Sequence, residues 1–250
     1  MQQLNDIVDS KILEQYNTQE KRSYLGASSI GDECIRKVQL QYMQKDQKVS
    51  AKQVRTFDIG HCLEDLVIKW LRIAGFDLKT RNEKGEQFGF SVADGKFAGH
   101  VDGIILSFPK EFASAAETTG QGSALFASAA EVTAQGSSLL EIKTMNHKSW
   151  NDTQKRGVLV SKPVYYSQVQ LYMAYMNLDR CLFVALNKDT SDLYFEIIPF
   201  DSGMAQKYSD RAVQIIKATE NNELLRCVSG DSSFFLCKMC GFRDHCWKNA

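Results

Sequence analysis

Asp102, Glu141 and Lys143 are the residues whose types and spacing most directly suggest a reaction. Residues 139–144 read Leu-Leu-Glu-Ile-Lys-Thr, an apolar, β-branched run expected to form a strand. Side chains two apart on a strand share a face. Glu141 and Lys143 therefore project together, while Leu140 and Ile142 enter a core. Asp102, between Val101 and Gly103, falls on a second expected strand. Two carboxylates on neighbouring strands can hold a divalent cation through oxygen. Such a cation activates water and stabilises charge on a phosphate under attack. A nearby ammonium can orient or deprotonate that water. Acid-x-Lys spacing alone is weak, since Asp9/Lys11, Asp46/Lys48, Asp77/Lys79 and Asp94/Lys96 share it. The competing reading is a surface ion pair on an edge strand.

The distance between Asp102 and Glu141 is inflated by a repeat. Residues 112–125 and 126–139 are nearly one 14-mer written twice, differing at Thr118/Val132, Gly120/Ala134 and Ala124/Ser138. Rich in Ala, Ser, Thr and Gly, each copy has little to bury. Two copies are too few for a solenoid, whereas lengthening a surface loop costs little. The repeat reads as a loop insert at 112–139, with a partner-binding arm as the alternative. Without its 28 residues, ten rather than 38 residues separate Asp102 from Glu141. Deleting residues 112–125 is accordingly expected to leave activity intact.

The elements that must position these residues follow from periodicity. Residues 57–76 read as a helix with Ile59, Cys62, Leu63, Leu66, Val67, Trp70 and Leu71 as its apolar stripe. His61, Glu64 and Asp65 fall on the opposite face, and Cys62 on the core side. Residues 87–92 and 96–106 flank Asp94-Gly95 as a hairpin. Residues 163–176 read as a helix carrying Gln168 and Tyr172 one turn apart. Residues 181–186 and 193–199 form a second hairpin, and 202–221 a last helix. This order predicts an α/β fold, a central mixed sheet flanked by helices, in a single domain over 1–250.

Composition bounds the rest. The chain has 250 residues, 44% hydrophobic and 24% charged, with zero formal net charge. It reads as a soluble globular protein. No apolar run approaches the roughly 18 residues a membrane span needs, so no membrane partner is expected. Residues 1–9 lack the apolar core of a secretory signal, so a cytoplasmic location is expected. Lys148, Lys155 and Arg156 make a local basic stretch that could meet DNA phosphates, or equally form a solvated loop.

Seven cysteines without a leader argue against a disulfide framework. Cys237, Cys240 and Cys246 crowd the tail, within a segment at 225–250, with C-x2-C-x5-C spacing suited to a metal. A fourth ligand could be local, Cys227 or His245, as in a structural zinc site, or distant, Cys34.

These motifs, in this order, resemble the RecB-like branch of the PD-(D/E)XK nucleases. The likeness covers most of residues 28–247. Gly60, His61 and Glu64 match the branch's metal-binding helix, Asp102 and Glu141-x-Lys143 its acids, and Gln168-x-x-x-Tyr172 its following motif. The cysteines resemble those of members closed by an iron–sulfur cluster, among them the CRISPR spacer-acquisition exonucleases and AddB-type nuclease domains. The resemblance implies a PD-(D/E)XK core with an iron–sulfur appendage, from a phage or prokaryote. It implies Mg2+- or Mn2+-dependent DNA exonuclease activity, on single-stranded ends. The implied metal ligands are Asp102, Glu141 and the carbonyl of Ile142, with His61 or Glu64. Lys143 would position or activate water, and Gln168 and Tyr172 would support the site. A [4Fe-4S] cluster would take Cys34, Cys237, Cys240 and Cys246, with Zn2+ as the alternative. Implied partners are DNA and recombination or CRISPR-adaptation proteins, and an oligomer is compatible. The alternative functions are a structure-specific or nicking endonuclease of the same fold, and a non-catalytic nucleic-acid-binding module with zinc.

Overall fold

The computed structural model describes residues 2–112 and 136–247. Most of the repeat, and with it the predicted tolerance of its deletion, lies outside the described residues.

A five-stranded mixed sheet in the order β2-β5-β6-β7-β8 forms the centre. Its strands are β2 (Asp77–Lys79), β5 (Gly103–Ser107), β6 (Ser138–Met145), β7 (Arg180–Asn187) and β8 (Leu193–Pro199). β6 and β7 run parallel and the other neighbours antiparallel. Every residue of β7 is buried, as expected for a strand covered on both faces. β6 begins two residues inside the second repeat copy, at Ser138, whose hydroxyl accepts from Arg180 Nε at 2.7 Å.

Helices cover both faces. On one face lies α3 (Ala51–Ile73), after α1 (Gln2–Asn17) and α2 (Ile35–Tyr42) in the chain. Val67, Ile68 and Leu71 of α3 pack against Leu140, Ile142 and Val184. On the other face lie α4 (His147–Ser161), α5 (Pro163–Met176) and α6 (Ser202–Glu220). Trp150, Val169, Leu171 and Ile215 join Leu139, Met145 and Phe183 there. The odd and even residues of β6 thus serve two separate cores, as its period of two requires. A smaller sheet, β1-β4-β3, is made of β1 (Leu25–Gly26), β3 (Gly89–Val92) and β4 (Phe97–His100). The tail ends in α7 (Phe235–Lys238) and α8 (Arg243–Trp247).

Four expectations need correction. α3 starts at Ala51, not at 57, because Ser50 and Gln53 form a reciprocal capping box. Its N-terminal half packs with α1 rather than on the sheet, so Ile59 and Cys62 are exposed and Cys62 is no core residue. The stretch 96–106 is not one strand: it breaks at Val101-Asp102, leaving β4 and β5 in different sheets. The basic stretch is the helix α4, not a loop. Asn146 caps it, and Gly157 at φ 71° kinks it where Glu196 accepts from the Val158 N–H at 2.8 Å. Helix α1 carried no sequence signal strong enough to predict.

Candidate active site

The break between the two sheets is what makes Asp102 available. Strand pairing brings Gly103 opposite Leu140, and then β5 ends. The next amide of β6 on that edge, Ile142 N–H, has lost its ladder partner and would be left unpaired. Asp102 Oδ2 takes it at 2.7 Å. The same bond pins Asp102 beside β6. Ile142 itself contributes its backbone here, its side chain being in the apolar core.

Glu141 is fully buried on β6. Its Oε1 accepts from Gln168 Nε2 at 2.7 Å and from the Lys143 ammonium. Gln168 also donates to the Tyr172 hydroxyl at 3.2 Å. These two residues stand one turn apart on α5, which lies over the odd-numbered face of β6. Glu64 reaches in from α3 beside the Asp102 carboxyl, close enough for the charge of Asp102 to raise it. It therefore lies on the inward side of α3, one turn before Val67 and Ile68, and not on the solvent face the apolar stripe suggested. His61 also lines the cleft but is exposed. Lys143 lies 5.3 Å from the Tyr165 ring centroid.

Three carboxyls in a small, half-dry space repel one another. Burial first, then the charge of Asp102, pushes Glu64 up to about 7. Burial, reinforced by Asp102, pushes Glu141 up to about 8 against the pull of Lys143. Burial likewise raises Asp102. Burial disfavours the Lys143 ammonium, but Glu141 and Asp102 outweigh it and hold its pKa above the ordinary lysine value. Burial also raises the Tyr172 phenol, keeping it neutral.

This donor set fits a hard divalent cation. Glu141 Oε2 is buried with no hydrogen-bond partner among the described residues, a costly condition for a carboxylate oxygen. A cation there would satisfy it, offset the burial that raises all three carboxyls, and cancel the repulsion that adds to it at Glu64 and Glu141. The side chains are not gathered around one point: among the described residues, no group of three or more His, Cys, Asp or Glu is arranged to hold an ion.

The site opens into a cleft of about 670 Å3. Its opposite wall comes from the small sheet and the segments before it. Arg22, Tyr24, Arg81 and His100 stand there, with Arg72 of α3 at the rim. Sequence reasoning missed this wall. Its residues have no shared spacing, and the run Lys21-Arg22-Ser23-Tyr24 was the only hint. Lys148, Lys155 and Arg156, expected to meet DNA, are exposed on α4 and do not line this cleft. Arg156 makes a two-pronged ion pair with Asp152 at 2.7 Å.

The cysteines form a separate group. Cys34 precedes α2, Cys237 lies in α7 and Cys246 in α8. With Cys240 and Cys227 they line one cleft of about 700 Å3. The Cys227 and Cys237 sulfurs are 3.9 Å apart. Burial and then Cys227 push the Cys237 thiol up to about 11. His245 turns elsewhere, to the Asp46 carbonyl at 3.1 Å. Five thiols line one cavity, Cys227, a local fourth-ligand candidate, among them, although among the described residues no three of them are arranged around one ion.

No protein-family model matches the chain, and no curated protein sequence matches it significantly. Solved structures do. An alkaline exonuclease, LHK-Exo, from Laribacter hongkongensis aligns over 81% of this chain and 90% of its own, at 16% identity and TM-score 0.52. The same enzyme in complex with dAMP aligns over 80% of this chain and 89% of its own, at 16% identity and TM-score 0.53. SSO0001 aligns over 96% of this chain and 94% of its own, at 16% identity and TM-score 0.49. The chain shares its α/β fold, a mixed sheet flanked by helices, with the alkaline exonuclease LHK-Exo.

Proposed function

We propose that this chain is a divalent-metal-dependent deoxyribonuclease that hydrolyses phosphodiesters at DNA ends, single-stranded ends foremost. The observation that carries the reading is the meeting of Glu64, Asp102 and Lys143 at one cleft, with Glu141 buried beside them, hydrogen-bonded to Lys143 and Gln168 and with one oxygen left without a partner. LHK-Exo, whose fold the chain shares, is an alkaline exonuclease and is known in complex with dAMP.

Asp102, Glu141, the Ile142 carbonyl and Glu64 are the residues that would hold Mg2+ or Mn2+. Glu64 is preferred to His61 because it is half-buried beside Asp102, whereas His61 is exposed. When bound, the cation supplies Lewis acidity and a more acidic water. Lys143 donates a hydrogen bond to the attacking water and balances charge on the phosphoryl oxygens. Water oxygen bonds to phosphorus and gives up a proton to solvent, the phosphorus–oxygen ester bond breaks, and the leaving oxygen takes a proton from solvent. Gln168 holds Glu141 in place, and Tyr172 holds Gln168.

Cys34, Cys237, Cys240 and Cys246 are the residues that would hold an iron–sulfur cluster, tying the segment before α2 to the tail. Iron and zinc analysis after anaerobic purification separates this from a zinc site. Incubating the protein and Mn2+ with linear and with closed circular single-stranded DNA tests the main reading. Mononucleotide or short-oligonucleotide release from linear DNA alone is expected. Cutting of the circle would establish the endonuclease alternative, and cleavage of neither would overturn the nuclease reading.

A further inference from the structure

A second cleft adjoins the first, and the two share a wall. It has a volume of about 600 Å3 and lies between the end of α1 and α2. Arg22 and Tyr24 line both clefts. They are stacked, the Arg22 guanidinium carbon 5.1 Å from the Tyr24 ring centroid. His100 braces the ring edge-on at 6.2 Å, and its Nδ1 lies 3.4 Å from the Tyr24 hydroxyl. Gly26 leaves the room for this arrangement: a Cβ there would lie 2.1 Å from a guanidinium nitrogen of Arg22. The pair is therefore a preset tier of guanidinium on ring at the passage from one cleft to the other.

We propose that this tier carries an unpaired DNA strand out of the active-site cleft and into the second cleft. The inference deepens the nuclease reading and rests on it for the identity of the ligand. A base that has left its duplex partner stacks on an aromatic ring or on a guanidinium plane, and every base offers a face for this. A base still inside a duplex is already stacked and has nothing to gain there. Beyond the tier, the second cleft offers phenols, amides and cations: Tyr16, Tyr42, Asn17, Gln41 and Lys45. These suit base edges and phosphates together. Its acids are Glu20 and Asp46, and Asp46 is neutralised by Lys21 at 2.7 Å.

The test is binding of a fluorescein-labelled oligodeoxythymidine, roughly twelve nucleotides long, read by anisotropy with Ca2+ in place of the catalytic metal. Tyr24→Ala is expected to weaken binding roughly five- to a hundredfold, the value of one lost stacking platform. Tyr24→Phe and Tyr24→Trp should keep it, although Phe cannot bond His100. A blunt duplex of the same length should bind wild type and Tyr24→Ala equally. Should Tyr24→Ala fail to fold, Gly26→Ala reaches the tier from beneath. Its methyl meets only the end of Arg22, and it should weaken single-strand binding severalfold while leaving duplex binding unchanged. Single-strand affinity within about twofold of wild type in the folded variants, or an equal loss on duplex, overturns the proposal. Cleavage assays on the same proteins separate the two claims. A wild type that cleaves while the Tyr24 variants bind normally defeats the tier alone. A wild type that binds through Tyr24 and cleaves nothing defeats the nuclease reading alone.

Discussion

Glu141 stands on an eight-residue strand paired along both edges and covered on both faces, while Cys237 and Cys246 stand on helices of four and five residues. Around the carboxylates, two large apolar clusters and a chain of hydrogen bonds fix each side chain. Around the cysteines, the core is Leu40, Phe242 and Cys246, with Cys240 and Trp247 beside it. Phe234, Phe235 and Met239 remain exposed nearby. The first region spends stability produced elsewhere in the sheet to hold three repelling carboxyls together. The second has too little apolar area to hold itself and is built like a domain that leans on a ligand. One site should therefore lose function before stability, and the other stability before function.

The largest effect should come from the carboxylate site. Asp102→Ala and Lys143→Ala should each cut DNA cleavage by at least about a hundredfold. Their melting temperatures should stay near wild type. Full activity in both variants would break the site assignment, and a collapse of the fold in both would erase the contrast. Next in size, Phe242→Ala should cost about 3–5 kcal/mol in the tail. Limited proteolysis should then cut between α6 and α8, while amide exchange in β7 stays slow. Loss of protection in β7 as well would show that the two regions unfold as one. A smaller effect is expected from Gln168→Ala, which frees Glu141 to turn. Cleavage should fall roughly ten- to a hundredfold, as for other groups that orient a ligand. Gln168→Glu should not restore it, because the new carboxylate repels Glu141.

The smallest effect concerns pH. Burial raises Glu196 above its ordinary value of 4.5, against the pull of Tyr194 and the Val158 amide. A carboxyl raised in the folded state binds its proton more tightly there than in the unfolded chain. Its contribution is complete below about pH 4.5 and is lost as pH rises through the folded value. Metal-free protein should thus lose stability as pH climbs above that point, and Glu196→Gln should lose less. Glu64 and Glu141 act in the same direction, so the slope of the variant should shrink without vanishing. Equal slopes by thermal melting would remove Glu196 from the account.

Legibility followed the range of the forces involved. The helix at 163–176 and the hairpin at 181–199 were readable because their periodicity is local. The Glu141/Lys143 face followed from the period of two. Gln168 fell in the right place for the same reason, although its partner, Glu141 Oε1, did not. Glu64 was misplaced because an apolar stripe shows where a helix could be covered, not which half the sheet reaches. Residues 59 and 62 fit the stripe and are nevertheless exposed, while Leu63, Val67, Ile68 and Leu71 pack against the sheet. Asp102 does stand beside β6, but for a partly different reason than its sequence context suggested. It serves the site because two strands part there, not because it lies on one. The wall of Arg22, Tyr24, Arg81 and His100 was not legible, since its members come from three separate stretches.

By itself, the sequence determined the inventory: the acids and lysine of the active strand, the Gln-x-x-x-Tyr helix, the cysteine spacing and the alternation that builds the sheet. Each of these depends on residues a few positions apart, where backbone geometry fixes the relation between side chains. Only the tertiary structure decided which helix face turns inward, that Asp102 replaces a missing strand as partner of Ile142, that Cys227 joins the other thiols, and that two clefts meet at Tyr24. Those outcomes depend on where burial and unpaired amides are resolved between distant segments, and no local pattern encodes that.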